Sequence, residues 1–374
     1  MIKKNYKISF CVVSMNRLYQ LKETLPQNIK DNEAYDELEF IILDYNSQDG
    51  TEEWVKHNFQ QYLDSGKITY FKTIEPDHWN PSHSKNLAFK LSKGDIICNI
   101  WADYFTGYGF AEYVNDMFTK DNNIVLTPID FHRTKQNYNL PGDVLGKVCV
   151  KRTDFLKING FDEKMNKHGF EDYDFVNRLE MIDVKRVLIE EHIYLRYIPH
   201  EDDKRYSLPL DNLQGLYLNY ITPSSTEVLL LYKDHRFQKG VLIDNIANPS
   251  DDYHYAYQIN RSYFEYSLKD FKWETGEWKL SGKGISLLYE RNIDENYYEK
   301  EPESKNFIRN KDFTCFYHIK NKELIENILV FEHYYYTRSI MDRNLANKTI
   351  TANSDDYGSG IVFKNFRMSE PIIV

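Results

Sequence analysis

Leu38-Glu-Phe-Ile-Ile-Leu-Asp-Tyr-Asn-Ser-Gln-Asp-Gly-Thr51 reads as strand, turn and helix in one pass. Residues 38–43 form an apolar run of strand length. Asp44 and the polar turn through Gly50 end it, and residues 52–59 begin a helix. The same unit repeats on either side. Upstream, the apolar run 8–13 gives way to Ser14-Met-Asn-Arg17 and then to Leu18, Leu21 and Leu25 at helical spacing. Downstream come a strand at 68–71, a helix at 84–91 and a strand at 95–100. Strands alternating with helices predict an α/β fold: a Rossmann-like, open and mostly parallel sheet. Ligands of such sheets bind beyond the carboxyl ends of the strands.

Further strands are expected at 124–128 and 146–150, a short helix at 152–159, and more of the same domain at 187–188 and 193–197. Thr222-Pro-Ser-Ser-Thr226 punctuates the chain, so the domains are expected to be 1–224 and 225–374. Beyond it, short alternating runs at 228–232, 241–246, 263–268, 278–280 and 285–289 predict a mainly antiparallel β domain, a sandwich or barrel. Residues 324–336 fit a helix or a strand. Tyr253, Tyr255, Tyr257, Trp273 and Trp278 could line a sugar groove or fill a core.

A formal charge of −10 argues against nucleic acid as the main partner. The 30 Tyr suit either sugar-binding surfaces or β-rich structure. Cys11, Cys98, Cys149 and Cys315 are scattered without metal spacing and read as reduced thiols. Residues 1–6 show no signal-peptide pattern and no apolar stretch approaches membrane-spanning length. A cytoplasmic location is therefore expected, with membrane association left to a partner or a surface patch.

Three places carry candidate chemistry. Asp44 and the turn behind it offer acceptors to a base or ribose, and Asn16 and Arg17 add donors; a plain turn uses the same residue types. Asp103 closes the run 96–100 on the ligand side of the sheet. Its hard oxygen suits Mn2+ or Mg2+, unless it is a solvated turn residue. His200 adds an imidazole that suits Mn2+ better than Mg2+, unless it is an ordinary loop histidine. Finally, Gly169-Phe-Glu-Asp-Tyr-Asp-Phe-Val-Asn-Arg-Leu179 crowds Glu171, Asp172 and Asp174 into the first turn of a helix buried through Phe175, Val176 and Leu179. Helix capping explains one acid, not three, and mutual repulsion should raise at least one pKa toward that of a useful base.

From Ile8 to Arg205 these residues resemble the GT-A glycosyltransferases. Asp44–Thr51, Ser84-Lys-Asn-Leu-Ala88 and Gly94-Asp-Ile-Ile97 are similar to elements of the large family-two group. Asn159-Gly-Phe161, Gly169–Leu179 and Arg196-Tyr-Ile-Pro-His200 with Asp203-Lys204 resemble signatures of the beta-1,4-galactosyltransferases. The resemblance implies an inverting transferase that moves galactose or N-acetylgalactosamine from a UDP-sugar onto a growing surface glycan. Asp172 falls on the family's catalytic base and Glu171 on its sugar-contacting neighbour. Asp103 and His200 fall on metal ligands. Ser14, Asn16, Arg17, Asp44, Lys85, Asn86, Trp101 and Ala102 fall among the nucleotide-sugar contacts. Departures are Trp101 for the first acid of the Asp-x-Asp motif, Tyr197 for a metal-binding Met, Phe170 for a Gly and His168 for a Trp. Trp101 also supports a rival reading, a non-catalytic glycan-binding protein that keeps the fold.

Overall fold

The computed structural model describes residues 5–128, 146–199, 210–222, 225–242, 273–290, 295–300 and 306–374. They form two units, Met1–Glu201 with Tyr336–Val374, and Asp202–Tyr335.

The first unit begins with β1 (Ile8–Ser14), α1 (Leu18–Asp31), β2 (Leu38–Tyr45), α2 (Thr51–Asn58), α3 (Gln60–Asp64) and β3 (Ile68–Thr73). It continues with α4 (Pro81–Leu91), β4 (Ile96–Asn99), α5 (Phe110–Lys120), β5 (Ile124–Thr127), β6 (Cys149–Lys151), α6 (Arg152–Lys157), α7 (Glu171–Glu180) and β7 (Lys185–Leu188). Every residue of β1 and β2 is buried, because helices cover both faces of the sheet. Leu21, Leu25, Phe110 and Val114 pack on Ile8, Phe10 and Val12 on one face. Leu87, Phe155, Phe175 and Leu179 pack on Cys11, Val13 and Leu43 on the other. Helix α5 was not among the expected elements, although Phe110, Ala111, Val114 and Phe118 recur at helical spacing and are all buried.

The second unit holds β8 (Leu213–Thr222), β9 (Ser225–Tyr232), β10 (Arg236–Leu242), β11 (Glu274–Ser281), β12 (Gly284–Tyr289), β13 (Glu295–Lys300), β14 (Phe307–Arg309) and β15 (Cys315–Ile319). They close into an antiparallel barrel in the order β10-β11-β12-β13-β14-β15-β8-β9, which leaves no open edge. Leu229, Leu231, Phe237, Trp278, Leu287 and Phe316 share one of its cores. Trp278 is thus a packing residue whose indole N–H donates to the Tyr232 carbonyl at 2.8 Å; Tyr253, Tyr255 and Tyr257 lie outside the described residues. Residues 324–336 are helical, within α8 (Lys322–Ala346), which precedes β16 (Ile361–Lys364) and β17 (Pro371–Ile373).

Two expectations are corrected. The Pro/Ser cluster at 222–226 is not a domain boundary: Thr222 pairs with Ser225 and joins β8 to β9 in one antiparallel ladder. The same residue types that mark a linker are therefore no sign of a boundary here, because the residues on either side of them pair. Nor is 225–374 one β domain, because residues 336–374 belong to the first unit. There β16 pairs with β3 and covers what would otherwise be an open sheet edge. The sheet order is β17-β16-β3-β2-β1-β4-β6-β5-β7. Strands β3, β2, β1 and β4 run parallel, while β6, β16 and β17 pair antiparallel, so the sheet is mixed. The expected class holds in its main terms, a Rossmann-like sheet with a separate antiparallel β unit.

Candidate active site

Strands β1 and β2 end side by side, with Ser14 opposite Asp44. Asp44 is fully buried. It accepts hydrogen bonds from the Ser47 N–H at 2.7 Å and the Tyr70 hydroxyl at 2.5 Å. Burial raises its pKa against those hydrogen bonds. Asn16 takes a left-handed backbone, φ 57. Its side-chain oxygen accepts from the Gln48 N–H at 2.7 Å, and its own N–H donates to Ser47 Oγ at 3.0 Å. Asn16 therefore fastens the two loops together, while Asp44 ties its own turn to Tyr70 of β3. Arg17, half-buried, directly precedes α1. Ser14 Oγ is buried without a hydrogen-bond partner, which gives this corner a spare polar group.

The acidic cluster forms where α4 meets α7. Helix α4 starts cleanly, with the Asn80 side chain accepting from the His83 N–H and Pro81 in the first turn. That start places Lys85 on the helix's buried side, where it is fully enclosed. Lys85 Nζ donates to Asp172 Oδ1 at 2.6 Å and to Glu171 Oε1 at 3.2 Å. It also lies 4.3 Å from the Phe161 ring centroid and 5.2 Å from that of Trp101. Nucleotide-sugar contact was expected for Lys85; in the fold its ammonium bonds the acid pair. The available signal was a lysine on the apolar side of a helix, a position it occupies only with a partner.

The two acids are pushed in opposite directions. Burial opposes the charge on Glu171, but Lys85 and His168 outweigh it and its pKa is lowered. The Gly169 N–H also donates to its Oε2 at 3.0 Å. Burial likewise disfavours the charge on Asp172; Lys85 pulls the other way and Glu171 adds repulsion, leaving a pKa of about 6. The Asp172 side chain keeps 13% of its surface open. Its Oδ2 and Trp101 Nε1 both border the Cα of Gly146, where a Cβ would come within 3.0 Å and 2.3 Å of them. The residue before the pair, Phe170, is left-handed at φ 61, a strained conformation for a residue that replaces glycine in the resembling family.

The turn feeding α7 is held by Asn86. Its Oδ1 accepts from the Phe161 N–H at 2.7 Å, and its amide donates to the Phe161 carbonyl at 2.8 Å. Asn86 is thus a scaffold residue in the observed contacts. Gly160 sits at φ 68, and a Cβ there would lie 2.3 Å from Asn86 Oδ1. Gly160→Ala should destabilise the chain by about 1–3 kcal/mol through backbone strain and this clash. Thermal unfolding reads the effect; an unchanged Tm would mean the turn is not held as described.

Beyond β4, the loop 101–106 is pinned at successive carbonyls. Ala102 O accepts from Thr24 Oγ1 at 2.6 Å, Asp103 O from the Ile198 N–H at 2.9 Å and Tyr104 O from Asn28 at 2.8 Å. Phe105 O accepts from Lys147 at 2.8 Å, and the same ammonium donates to Tyr194 O. Burial pulls Lys147 down to about 7, against the raising effects of Cys149 and Asp103. Neither Lys147 nor this clamp was anticipated. Asp103 is buried, 8% exposed as a residue, on a loop that Tyr104 also bridges to Tyr197. His200, the other expected metal ligand, lies outside the described residues. Among the described residues, no group of three or more His, Cys, Asp or Glu is arranged to hold a metal.

The structure therefore brings Lys85, Glu171, Asp172 and Trp101 together, with Asp103 two residues beyond Trp101. Ser14, Asn16, Arg17 and Asp44 gather at the ends of β1 and β2. Trp79, not anticipated either, packs 5.6 Å from Tyr45 at the end of β2 and 5.4 Å from Trp101.

Residues 129–200 match a family model described as the N-terminal domain of galactosyltransferase. That span contains both Asn159-Gly-Phe161 and the acidic cluster, so the resemblance read from them is borne out. No match was found among curated protein sequences. Among solved structures, the chain is similar to the mannosyltransferase PcManGT from Pyrobaculum calidifontis in complex with GDP-Man and Mn2+. That likeness has 19% identity and a TM-score of 0.44, over 54% of this chain and 60% of that one. It is also similar to residues 1–349 of S. aureus TarS, with 15% identity and a TM-score of 0.40, over 50% of this chain and 59% of that one. A third similar structure is glucosyl-3-phosphoglycerate synthase from Mycobacterium tuberculosis with Mn2+, UDP and glucosyl-3-phosphoglycerate. Its identity is 16% and its TM-score 0.35, over 54% of this chain and 75% of that one. The chain spans less than two thirds of the length of the first two structures.

Proposed function

We propose that this chain is an inverting GT-A glycosyltransferase that moves a hexose from a UDP-sugar to a hydroxyl of a glycan acceptor. The observation that carries this reading is the buried Lys85–Glu171–Asp172 cluster at the carboxyl end of the sheet. Two neighbouring carboxylates with opposite pKa shifts divide the work. Asp172, poised near 6, takes the acceptor's hydroxyl proton, while Glu171 stays ionised and accepts hydrogen bonds from sugar hydroxyls. General-base assistance of this kind contributes about 10²–10⁴ in rate. Galactose or N-acetylgalactosamine is the donor sugar by family resemblance, with a growing surface glycan as acceptor. Ser14, Asn16, Arg17, Asp44 and Trp101–Ala102 are the nucleotide-side residues.

A divalent cation, Mn2+ before Mg2+, fits the hard oxygen of Asp103 together with the imidazole of His200. When bound it would neutralise the departing diphosphate. His200→Ala is expected to weaken Mn2+-dependent UDP binding; unchanged metal dependence by calorimetry would remove His200 from the ligand set. The cysteines are free, which suits work in the cytoplasm. Among the described residues no helix is long and apolar enough to cross a membrane.

Incubation with Mn2+ and a panel of UDP-sugars, followed by assay of released UDP, tests the reading. Slow hydrolysis of one sugar nucleotide, accelerated by a glycan acceptor, supports it. Absence of both UDP binding and turnover would favour the glycan-binding rival, for which Trp101 in place of an acid is the supporting feature.

A further inference from the structure

The C-terminal segment enters the first unit at the acid helix. Asn344, near the end of α8 and 9% exposed, donates from one amide nitrogen to Asp162 Oδ2 and to Asp174 Oδ1, both at 2.9 Å. Asp174 lies in the first turn of α7, two residues beyond Asp172. Its other oxygen accepts from Arg178 Nε at 2.7 Å, and Arg178 continues to the Gly160 carbonyl at 2.7 Å. A second residue of the same segment repeats the pattern. Asn353 donates to the Asn159 and Phe161 carbonyls at 2.7 and 2.6 Å and accepts from the Glu163 N–H at 2.9 Å. Asn86 meets this turn from α4, one residue from Lys85. The turn 159–163 is therefore gripped from α4 and from the C-terminal segment before the chain enters α7.

We propose that Asn344 is a positioning residue for the transfer reaction, acting through Asp174 to fix the first turn of α7 and hence Asp172. The chemistry requires an amide. Its two N–H groups satisfy two buried carboxylates at once, which neither a methyl nor a carboxylate can do. Without them Asp162 and Asp174 face each other with Arg178 as the cation on one side, and α7 shifts to separate them. Asp172 then moves relative to Lys85 and to its open edge beside Gly146. A displacement of about 1 Å in a reacting group costs on the order of 10²-fold in rate.

The proposal rests on Asp172 as the base, and the test separates the two. Full-length N344A and N344D are compared with the parent chain for kcat, donor KM, Tm and hydrogen exchange of the amides 171–175. N344D should lose about 10²-fold in kcat at pH 8 with donor KM unchanged. Its deficit relative to the parent should shrink toward pH 6, as the introduced carboxyl, its pKa raised by two acidic neighbours, protonates and regains a donor. The deficit of N344A, which adds no titrating group, should vary less with pH than that of N344D. A lowered Tm with unchanged kcat per folded molecule would overturn the proposal. So would an N344D deficit independent of pH. If the parent transfers no sugar, the functional reading fails and hydrogen exchange decides the positioning claim. Faster exchange of 171–175 in N344D at pH 8 than at pH 6, relative to the parent, supports it; equal protection throughout overturns it.

Discussion

Asp172→Asn is expected to lower kcat for transfer by about 10²–10⁴-fold and to leave UDP affinity near that of the parent. The amide is isosteric with the carboxylate, so its oxygen can still accept from Lys85 and its place beside Gly146 is kept. What disappears is an atom that can take a proton. The parent should also show a rate that rises with pH through about 6 and then levels, because Asp172 must be ionised to act. That limb should be absent from the residual activity of the variant. A kcat close to the parent's would place the base elsewhere. Equal loss of transfer and of UDP binding would reduce Asp172 to a structural acid.

The assignment depends on asymmetry between neighbours, and that asymmetry comes from the fold. Sequence alone predicted that crowding would raise at least one pKa among Glu171, Asp172 and Asp174; it did not say which. Asp174 is occupied by Arg178 and Asn344. Glu171 takes the Gly169 N–H and is lowered by Lys85 and His168. Asp172, facing the partly open edge, is the acid left with a raised pKa. Of these partners Lys85 and Asn344 come from distant parts of the chain, while His168, Gly169 and Arg178 lie on or beside α7 itself.

The same distinction separates what could be read from what could not. Strands β1 to β4 and the helices between them were legible because local pattern determines them: an apolar run of strand length, a polar turn, a 3.6-residue repeat. Asp103 and Asp172 stood out because Asp103 follows the end of such a pattern and Asp172 opens one. The fate of residues 336–374 was not. The short apolar run 361–363 fits any sheet with a free edge, and only long-range pairing selects β3. The turn at 222–226 could join two strands or two domains, since turn chemistry carries no information on what lies beyond it. Asn344 and Asn353 look like surface polar residues until the carbonyls and carboxylates they meet are in place. Lys85 was picked out by its place in the Ser84–Ala88 element, but its bonds to Glu171 and Asp172 join segments far apart in the chain and could not be read there.

Lys85→Met carries the second large expectation. It removes the cation from a site where the lysine is fully buried and leaves two carboxylates enclosed together. Breaking such a pair from one side costs about 3–5 kcal/mol, most of it from the charges left uncompensated. Both acids should respond by holding protons to higher pH. The rising limb of the rate profile, near pH 6 in the parent, should therefore move upward, and kcat at neutral pH should fall. The stability loss has a sign of its own. In the variant the folded-state pKa values exceed the unfolded ones, so the folded chain holds more protons, and stability declines as pH rises through the folded values. The Tm deficit should consequently be small in mild acid and large above neutrality. Methionine keeps the length and the contact with Phe161 and Trp101, so packing changes little. A limb that stays near pH 6 would mean that the titrating group is not the acid Lys85 touches. A Tm deficit of equal size at every pH would mean that lost packing, not uncompensated charge, is what the substitution reports.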